Sequence, residues 1–248
     1  MKKVKLGKHT LEIYESIEDL PITRFHKFNK MLLIDAGVGS DITDLDAHLE
    51  RAIRFSKSKP DLTVKELENL RQNVFLIQSE LNPNHLAFCT LIKTIDGVEQ
   101  NDLSTEGLKK VLDLISDVSH SEMKKKTESV KKKVDTELAS YFPSIFDDAK
   151  VKEYYTTLLQ RTRLILDGII EQKDNSAEVD RITTMLLMYN EPKSFSGSKS
   201  AEIIFDKQFE DMCLVIAKQL GTNAKAYTVL EYYSAFEHIK KEMKDGRR

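Results

Sequence analysis

The chain has 248 residues, of which 40% are hydrophobic and 31% charged, with only nine glycines and five prolines. This composition excludes a disordered tail, a collagen and a disulfide scaffold, and it predicts a folded, helix-rich protein. The length is enough to bury roughly three quarters of the surface of the unfolded chain. The 38 basic and 40 acidic side chains leave a formal charge of -2, which excludes the broad positive field of a protein that coats nucleic acid. Local basic patches remain compatible with this small net charge.

The start of the chain, Met1–Lys8, carries the charges of a signal peptide without the apolar stretch that should follow them. The longest aliphatic runs, such as Met31–Ile34, are far shorter than the roughly 20 residues of a membrane-spanning helix. Cys89 and Cys213 each lie in an apolar helical pattern, so we interpret them as buried reduced thiols. We therefore expect a protein that folds in a cytoplasm and does not enter a membrane.

The first fifteen residues alternate apolar and polar on both sides of Gly7-Lys8, which predicts a small hairpin. From Pro21 the apolar period changes to 3.6 and predicts a helix that ends at Gly37. The segment Gly37–Asp41 is predicted to end this helix and to begin the next one, which continues to the polar residues before Pro60.

Thr63 and Glu66 have the spacing of a capping box and predict the start of a long helix, which Asn82-Pro83 interrupts. A shorter apolar stretch follows. Asp96-Gly97 then lies between β-prone residues and predicts a second hairpin, because both central residues of such a turn must adopt positive φ.

The second half of the chain is predicted to be helical throughout. A helix around Leu108–Val118 is followed by a capping box at Ser119–Glu122, which opens a helix that Tyr141–Ser144 breaks. Further helices are predicted from Asp148 for about six turns, after the polar connection Gln172–Ser176, from Ser200 to Leu220 and from Asn223 to about Met243. The fold class is therefore all-α, with about eight or nine helices in a multi-helix bundle and one or two small β-hairpins. We predict an N-terminal helical domain at 1–143 and a C-terminal helical region at 144–248, with a flexible loop near 192–199.

No motif in the sequence indicates catalysis, a metal or a cofactor. Gly37-Val38-Gly39 lacks the preceding strand and the Lys-Ser/Thr pair of a phosphate-binding loop, so we interpret it as a break between helices. Asp41, Asp44 and Asp46 lack the spacing of a calcium loop and are interpreted as charges that complement a helix N-terminus. The six histidines show no zinc-ligand spacing, and no nucleophile lies beside a plausible base. We therefore expect a protein that is not an enzyme.

Six lysines form the most unusual local pattern of the sequence. Seven residues separate the triplet Lys124-Lys125-Lys126 from Lys131-Lys132-Lys133, so the two triplets stack on one helix beside the apolar line of Val130, Val134 and Leu138. This basic face could contact phosphates or an acidic partner. Alternatively, it is a solvated helix face with i,i+4 pairs such as Glu122–Lys126, Glu128–Lys132 and Lys131–Asp135.

Four aromatic residues near the C-terminus are candidate interface residues: Tyr227, Tyr232, Tyr233 and Phe236. They lie within ten residues, which is more aromatic surface than a single neighbouring helix can cover, and tyrosine and phenylalanine are common interface anchors. Packing in the core between two neighbouring helices is the alternative explanation.

The run Asp19–Lys30, continued by Leu32–Asp41, resembles the opening of a family of structural proteins of tailed bacteriophages, notably the crAss-like phages of gut Bacteroidetes. Further similarities cover about the first 170 residues and lie at Leu70–Asn73, His85–Phe88, Ile95–Gly97, Tyr141–Pro143 and Phe146–Asp148. In the remainder, only Glu231–Tyr233 carries any similarity.

This resemblance implies a virion protein near the portal vertex, a ring or connector subunit that bridges capsid and tail as a closed homo-oligomer. Its implied partners are further copies, portal or tail subunits and genomic DNA in a channel, toward which the lysine face could point. A non-virion tail-assembly chaperone or scaffold is the first alternative. A host-directed protein-binding module is the second.

Overall fold

The computed structural model describes residues 1–35, 42–146, 149–189 and 191–245. Within these ranges the chain is mostly helical (73%), with eleven α-helices and one small antiparallel sheet. This agrees with the predicted helical class and exceeds the predicted number of helices. The helices are Ile22–Asp35 (α1), Ile42–Ser58 (α2), Pro60–Gln78 (α3), Pro83–Leu91 (α4), Thr105–Leu114 (α5), His120–Tyr141 (α6), Pro143–Phe146 (α7), Ala149–Glu171 (α8), Ser176–Tyr189 (α9), Ala201–Leu220 (α10) and Val229–Asp245 (α11). The strands are Lys2–Leu6 (β1), His9–Ile13 (β2), Ile92–Ile95 (β3) and Val98–Glu99 (β4).

Both predicted hairpins are confirmed, and they join into one sheet. The strand order is β1-β2-β3-β4, because β2 pairs antiparallel with β3. Asp96 and Gly97 have φ values of 51° and 86°, as the Asp-Gly signal requires. The carboxylate of Asp96 also accepts hydrogen bonds from the backbone N–H of Thr10 and pairs with Nδ1 of His9, at 2.8 and 2.6 Å. The second turn is therefore attached to the first hairpin.

Helix α4 lies at the centre of the molecule and is buried at every residue except Asn84. Helices α1, α5 and α6 pack around it. The buried guanidinium of Arg24 donates to the carbonyls of Thr90 and Ile92, at 3.0 and 2.9 Å, and also to that of Gln100. A donor at this position satisfies carbonyls that a helix C-terminus leaves without partners, and it joins α1 to the start of β3.

One hydrophobic core combines residues from both sides of the predicted boundary at residue 143. Leu138 and Phe142 contribute from one side, and Ile216 and Tyr232 from the other. Backbone hydrogen bonds join the segment before α1 to the segment before α11, from Ile22 N to Tyr227 O and from Val229 N to Leu20 O, both at 2.9 Å. Cys89 and Cys213 are buried and unpaired, as predicted.

Two helical hairpins lie at the periphery of this core. Helix α2 packs mainly on α3, and α8 mainly on α9. Among the described residues, the main core includes Leu76 of α3 and no residue of α2, α8 or α9. The two hairpins therefore have large surfaces outside the core.

The predicted capping box at Thr63 is wrong, and the one at Ser119 is confirmed. Helix α3 already begins at Pro60, and Glu66 is buried against α2 instead of capping a helix. At the start of α6, Ser119 Oγ accepts from the N–H of Glu122 at 3.2 Å, and the Glu122 carboxylate accepts from the N–H of Ser119 at 3.3 Å.

The predicted last helix also starts later than expected. A single 3-10 turn at Ala224–Ala226 follows the cap residue Asn223, and Tyr227 is extended before α11 begins at Val229.

The predicted break at Gly37–Asp41, with its Gly37-Val38-Gly39 motif and Asp41, lies outside the described residues. None of the described helices is long and apolar enough to cross a membrane.

Candidate assembly surfaces

Helix α6 carries the lysine face on its solvent side. Its inward side is buried and consists of Met123, Thr127, Val130, Val134 and Leu138. All six lysines lie away from this line, and all except Lys126 are exposed. The stacked arrangement predicted from the seven-residue spacing is therefore present.

Three of the six lysines have acidic partners within the chain. Lys126 pairs with Glu15 in the loop after β2, and Lys131 pairs with Asp135 at 3.6 Å. Lys133 lies 3.8 Å from Glu137, whose carboxylate also accepts from the N–H of Ile17 at 2.9 Å. The Lys131–Asp135 pair was predicted, whereas Lys126 reaches Glu15 rather than Glu122. Lys124, Lys125 and Lys132 have no ion pair with any of the described residues.

The N-terminal strand enlarges the basic surface. Burial opposes the ionisation of Glu15, but the hydrogen bond and charge of Lys126, together with the charges of Lys2 and Lys133, outweigh it and lower the pKa of this carboxyl. Lys2 of β1 is thus close enough to act on the same carboxylate as two lysines of α6. The sequence pattern alone could not bring the two segments together.

The four aromatic residues near the C-terminus pack within the chain to different extents. Tyr232 is buried in the core, whereas Tyr227 and Tyr233 are half-buried against it. The Tyr233 ring lies 5.8 Å from that of Phe142, which joins α11 to the end of α6. Phe236 is half-buried. This placement agrees with the core alternative for Tyr232, and an interface role remains a prediction for the other three.

Among the described residues, α8 carries more exposed large apolar side chains than any other helix, a feature that the sequence analysis did not single out. Tyr155, Leu159, Leu166, Ile169 and Ile170 are exposed by 58, 61, 50, 70 and 77%. The side of α8 that faces α9 is a different one, on which Arg161 Nε donates to Thr183 Oγ1 at 2.8 Å and the ring of Tyr154 meets that of Tyr189. The apolar repeat of α8, which includes Tyr155, Ile165, Leu166 and Ile169, is therefore largely exposed to solvent.

Exposed apolar side chains also occur on other helices. Helix α10 exposes Leu214 by 66%, and Ile203 by 51%. In the α2–α3 hairpin, Val64 and Phe75 are exposed by more than half. A contiguous exposed apolar patch can mark a contact with another molecule, whereas single exposed apolar side chains are normal on a protein surface.

Ionisable side chains cluster at sites that connect elements of the fold. The carboxylate of Glu66, 1% exposed, pairs with His48 Nδ1 and Arg51 Nε, at 2.6 and 2.9 Å, and joins α3 to α2. His26 of α1 stacks on the ring of Phe209 and pairs with Asp206 at 2.9 Å, which joins α1 to α10. Burial lowers the pKa of His26, and Asp206 only partly opposes this.

His85 and His120 form a third such contact, with their ring centres 4.2 Å apart. Burial, together with the neighbouring His120, lowers the pKa of His85 to about 4. In the part of the chain that the structure describes, no group of three or more His, Cys, Asp or Glu side chains is arranged to hold a metal ion.

The segment predicted as a flexible loop is held to α3 by hydrogen bonds. It has no helix or strand at 191–196. The carboxylate of Glu68 accepts from Ser194 Oγ, Phe195 N and Ser196 Oγ, at 2.9, 3.1 and 2.5 Å. These hydrogen bonds, above all that of Ser196, lower the pKa of Glu68. A groove of about 570 Å³ lies beside this segment, against α10.

A second groove, of about 850 Å³, lies between α2 and α9. The ion pair of Arg54 and Asp180, 3.1 Å apart, crosses it. Both partners are exposed, so solvent screens this contact, and it adds little to stability. The groove lies where α2 of one peripheral hairpin faces α9 of the other.

No protein-family model, curated protein or solved structure matches this chain.

Proposed function

We propose that this chain is a structural protein of a tailed-bacteriophage particle, a ring or connector subunit that acts by oligomeric assembly and without catalysis. The observation that carries this proposal is the row of exposed apolar side chains on the solvent side of α8. We call this row the apolar stripe; it consists of Tyr155, Leu159, Leu166, Ile169 and Ile170. A subunit that works by assembly needs such a surface, whereas a protein that acts alone is better served by a polar one.

The division of the molecule into a core and peripheral hairpins supports the same function. None of the described residues of α8 and α9 belongs to the main core, so their surface can be committed to neighbours without loss of the interior packing. Apolar surface contributes about 25 cal/mol per Å² when it is removed from water. Contacts on α8 can therefore stabilise an assembly at little cost to the fold.

The phage setting rests on the resemblance of the first 170 or so residues, and the lysine face is compatible with it. Lys124, Lys125 and Lys132 point to solvent and, within the described ranges, have no acidic partner. In a closed ring beside the portal they would face genomic DNA in the channel or an acidic neighbouring subunit. The expected partners are thus further copies, portal or tail subunits, and DNA.

Quantitative mass spectrometry of purified particles tests the proposal. A ring or connector subunit must be present at a fixed stoichiometric ratio to the portal protein, and the purified protein must form a larger complex when portal or tail subunits are added. A chaperone or scaffold would form the complex but be absent from the particles. A host-directed binding module would fail both measurements, and either of these results would overturn the proposal.

A further inference from the structure

We propose that β1 takes an acidic, extended segment of another protein as an added strand, antiparallel to β1. This contact goes beyond the proposed function, because it uses neither the apolar stripe nor the lysine face of α6 and does not depend on a role in a particle. The added segment would extend the sheet at its β1 end.

Strand β1 is an open edge of the sheet. The strand order is β1-β2-β3-β4, so β1 has a neighbouring strand on one side only. Within the described ranges, no backbone hydrogen bond joins its other side to another segment. The edge at β4 is two residues long, whereas β1 has five residues. The unpaired backbone groups of an edge strand of this length are a template for strand addition.

The register of the first hairpin shows which backbone groups of β1 face outward. Leu6 pairs with His9 across a two-residue turn, in which Gly7 has a φ of 56°. The two residues that close such a turn exchange both hydrogen bonds, and every second pair along the strands repeats this. The N–H and C=O groups of Lys3 and Lys5 therefore point away from β2. Each of these residues offers one donor and one acceptor to an added strand.

The side chains of β1 define the chemistry of the partner. Lys3 and Lys5 are exposed on one face of the sheet, whereas Val4 and Leu6 pack against the core from the other. Residues directly opposite each other in two paired strands lie on the same face. The partner residues opposite the two lysines should therefore be acidic, and those between them should be apolar.

Both lysines are available to such a partner. Lys3 is 74% exposed and lies 3.4 Å from Glu12, a pair that solvent screens. Lys5 has no ion pair with any residue that the structure describes. The edge is thus positively charged at the two positions whose backbone groups face outward.

The same features disfavour two other occupants. A second copy of β1 would bring its own lysines opposite Lys3 and Lys5, and like charges in this position destabilise a strand pair. DNA would match the charge of the edge, but it lacks the alternating N–H and C=O groups of a polypeptide backbone. An acidic protein segment satisfies both the charge and the backbone groups.

Peptide binding to the full-length protein tests the proposal. The probe is acetyl-Gly-Glu-Val-Glu-Val-Glu-Gly-amide, titrated at low salt while the backbone amides of the protein are followed by NMR. We expect saturable binding, in which the amides of Lys3 and Lys5 become more protected from hydrogen exchange than that of Val4. The same peptide with lysine in place of glutamate should not bind. Absence of binding up to about 1 mM would overturn the proposal.

N-methylation of the probe separates strand addition from charge attraction. In antiparallel pairing the glutamates opposite Lys3 and Lys5 direct their N–H groups at β1. N-methylation of the glutamates should therefore weaken binding about tenfold, whereas N-methylation of the valines should change it less than about twofold. Any other order of affinities would overturn the antiparallel strand addition.

Charge reversal on the protein tests the role of the lysines. Lys5→Glu should weaken peptide binding about tenfold, whereas Lys207→Glu, at an exposed position of α10, is the matched control and should not. Both variants should keep their helical circular dichroism. Equal binding by the Lys5→Glu and unmodified proteins would overturn the proposal. So would a single-stranded oligonucleotide that displaces the peptide and shifts the same amides, because the edge would then be a nucleic-acid site.

The strand addition and the proposed function can fail separately. Peptide binding is measured on the isolated protein, and the proposed function is measured on particles. A protein that is present in particles but does not bind the peptide overturns only the strand addition. A protein that binds the peptide but is absent from particles overturns only the virion role.

Discussion

Buried polar side chains in this protein connect helices that are distant in sequence. Glu66 illustrates this at the level of one residue, because its carboxylate is removed from water and lies within ion-pair distance of both His48 and Arg51. A buried carboxylate is tolerated only when such partners surround it. The spacing of Thr63 and Glu66 predicted that Glu66 caps a helix. In the structure Glu66 instead joins α3 to α2.

His85 makes stability depend on pH. The unfolded chain takes up a proton on this imidazole near its ordinary pKa of 6.5, whereas the folded protein does so only near pH 4, because burial and His120 disfavour the charged ring. The free energy of unfolding should therefore fall as the pH is lowered from about 6.5 to about 4. By linkage the loss amounts to about 2–3 kcal/mol.

Urea unfolding at pH 7.0 and 4.5 measures this effect. The variant His85→Gln should lose less stability than the unmodified protein over this interval. His238→Gln is the control, because His238 is exposed and pairs with the exposed Glu242, and it should behave like the unmodified protein. An equal loss in the His85→Gln and unmodified proteins would show that another group causes the acid sensitivity.

At the scale of the elements, the two sequence motifs with capping-box spacing differ in what they stabilise. The Ser119 hydroxyl accepts a hydrogen bond from the backbone of α6. The buried Thr63 Oγ1 lies inside α3 and has no hydrogen-bond partner among the residues described. Only the first of these side chains satisfies an N–H at a helix start.

Alanine substitutions separate the two sites. Ser119→Ala should lower the free energy of unfolding by about 1 kcal/mol, and Thr63→Ala should change it by less than about 0.5 kcal/mol. Urea titration of both variants with a common slope gives the comparison. A loss at Thr63 as large as that at Ser119 would mean that the hydroxyl of Thr63 does have a structural role.

At the scale of the whole molecule, the lysine face consists of lysines that hold the fold and lysines that are free to bind. Lys126 and Lys133 pair with Glu15 and Glu137, which lie against the loop after β2. Lys124, Lys125 and Lys132 have no comparable pair within the described parts of the chain. A test of binding must therefore leave the first pair of lysines unchanged.

Reversal of the three unpaired charges should impair assembly or genome retention. We expect the Lys124→Glu/Lys125→Glu/Lys132→Glu protein to fold normally and to reduce the yield of DNA-containing particles at least tenfold. The control reverses three exposed lysines away from α6, Lys199, Lys207 and Lys218. Unchanged infectivity and particle yield in the first variant would exclude a role of the lysine face in the particle.

Local patterns in the sequence were sufficient for the helical class, both hairpins and the Ser119 cap. These features depend on residues close together in the chain: the apolar period selects a helix, and Asp96-Gly97 accepts the positive φ of a tight turn. For the same reason, the seven-residue spacing placed the lysines of α6 on one face.

Only the tertiary structure decided which of these faces are covered. The pairing of β2 with β3, the contact of Lys126 with Glu15 and the burial of Glu66 all join residues that are distant in sequence. For α8, the period predicts a helix with an apolar side, but whether that side meets the core or solvent depends on where the other helices pack. Since α9 covers a different side of α8, the apolar stripe of α8 is left exposed to solvent.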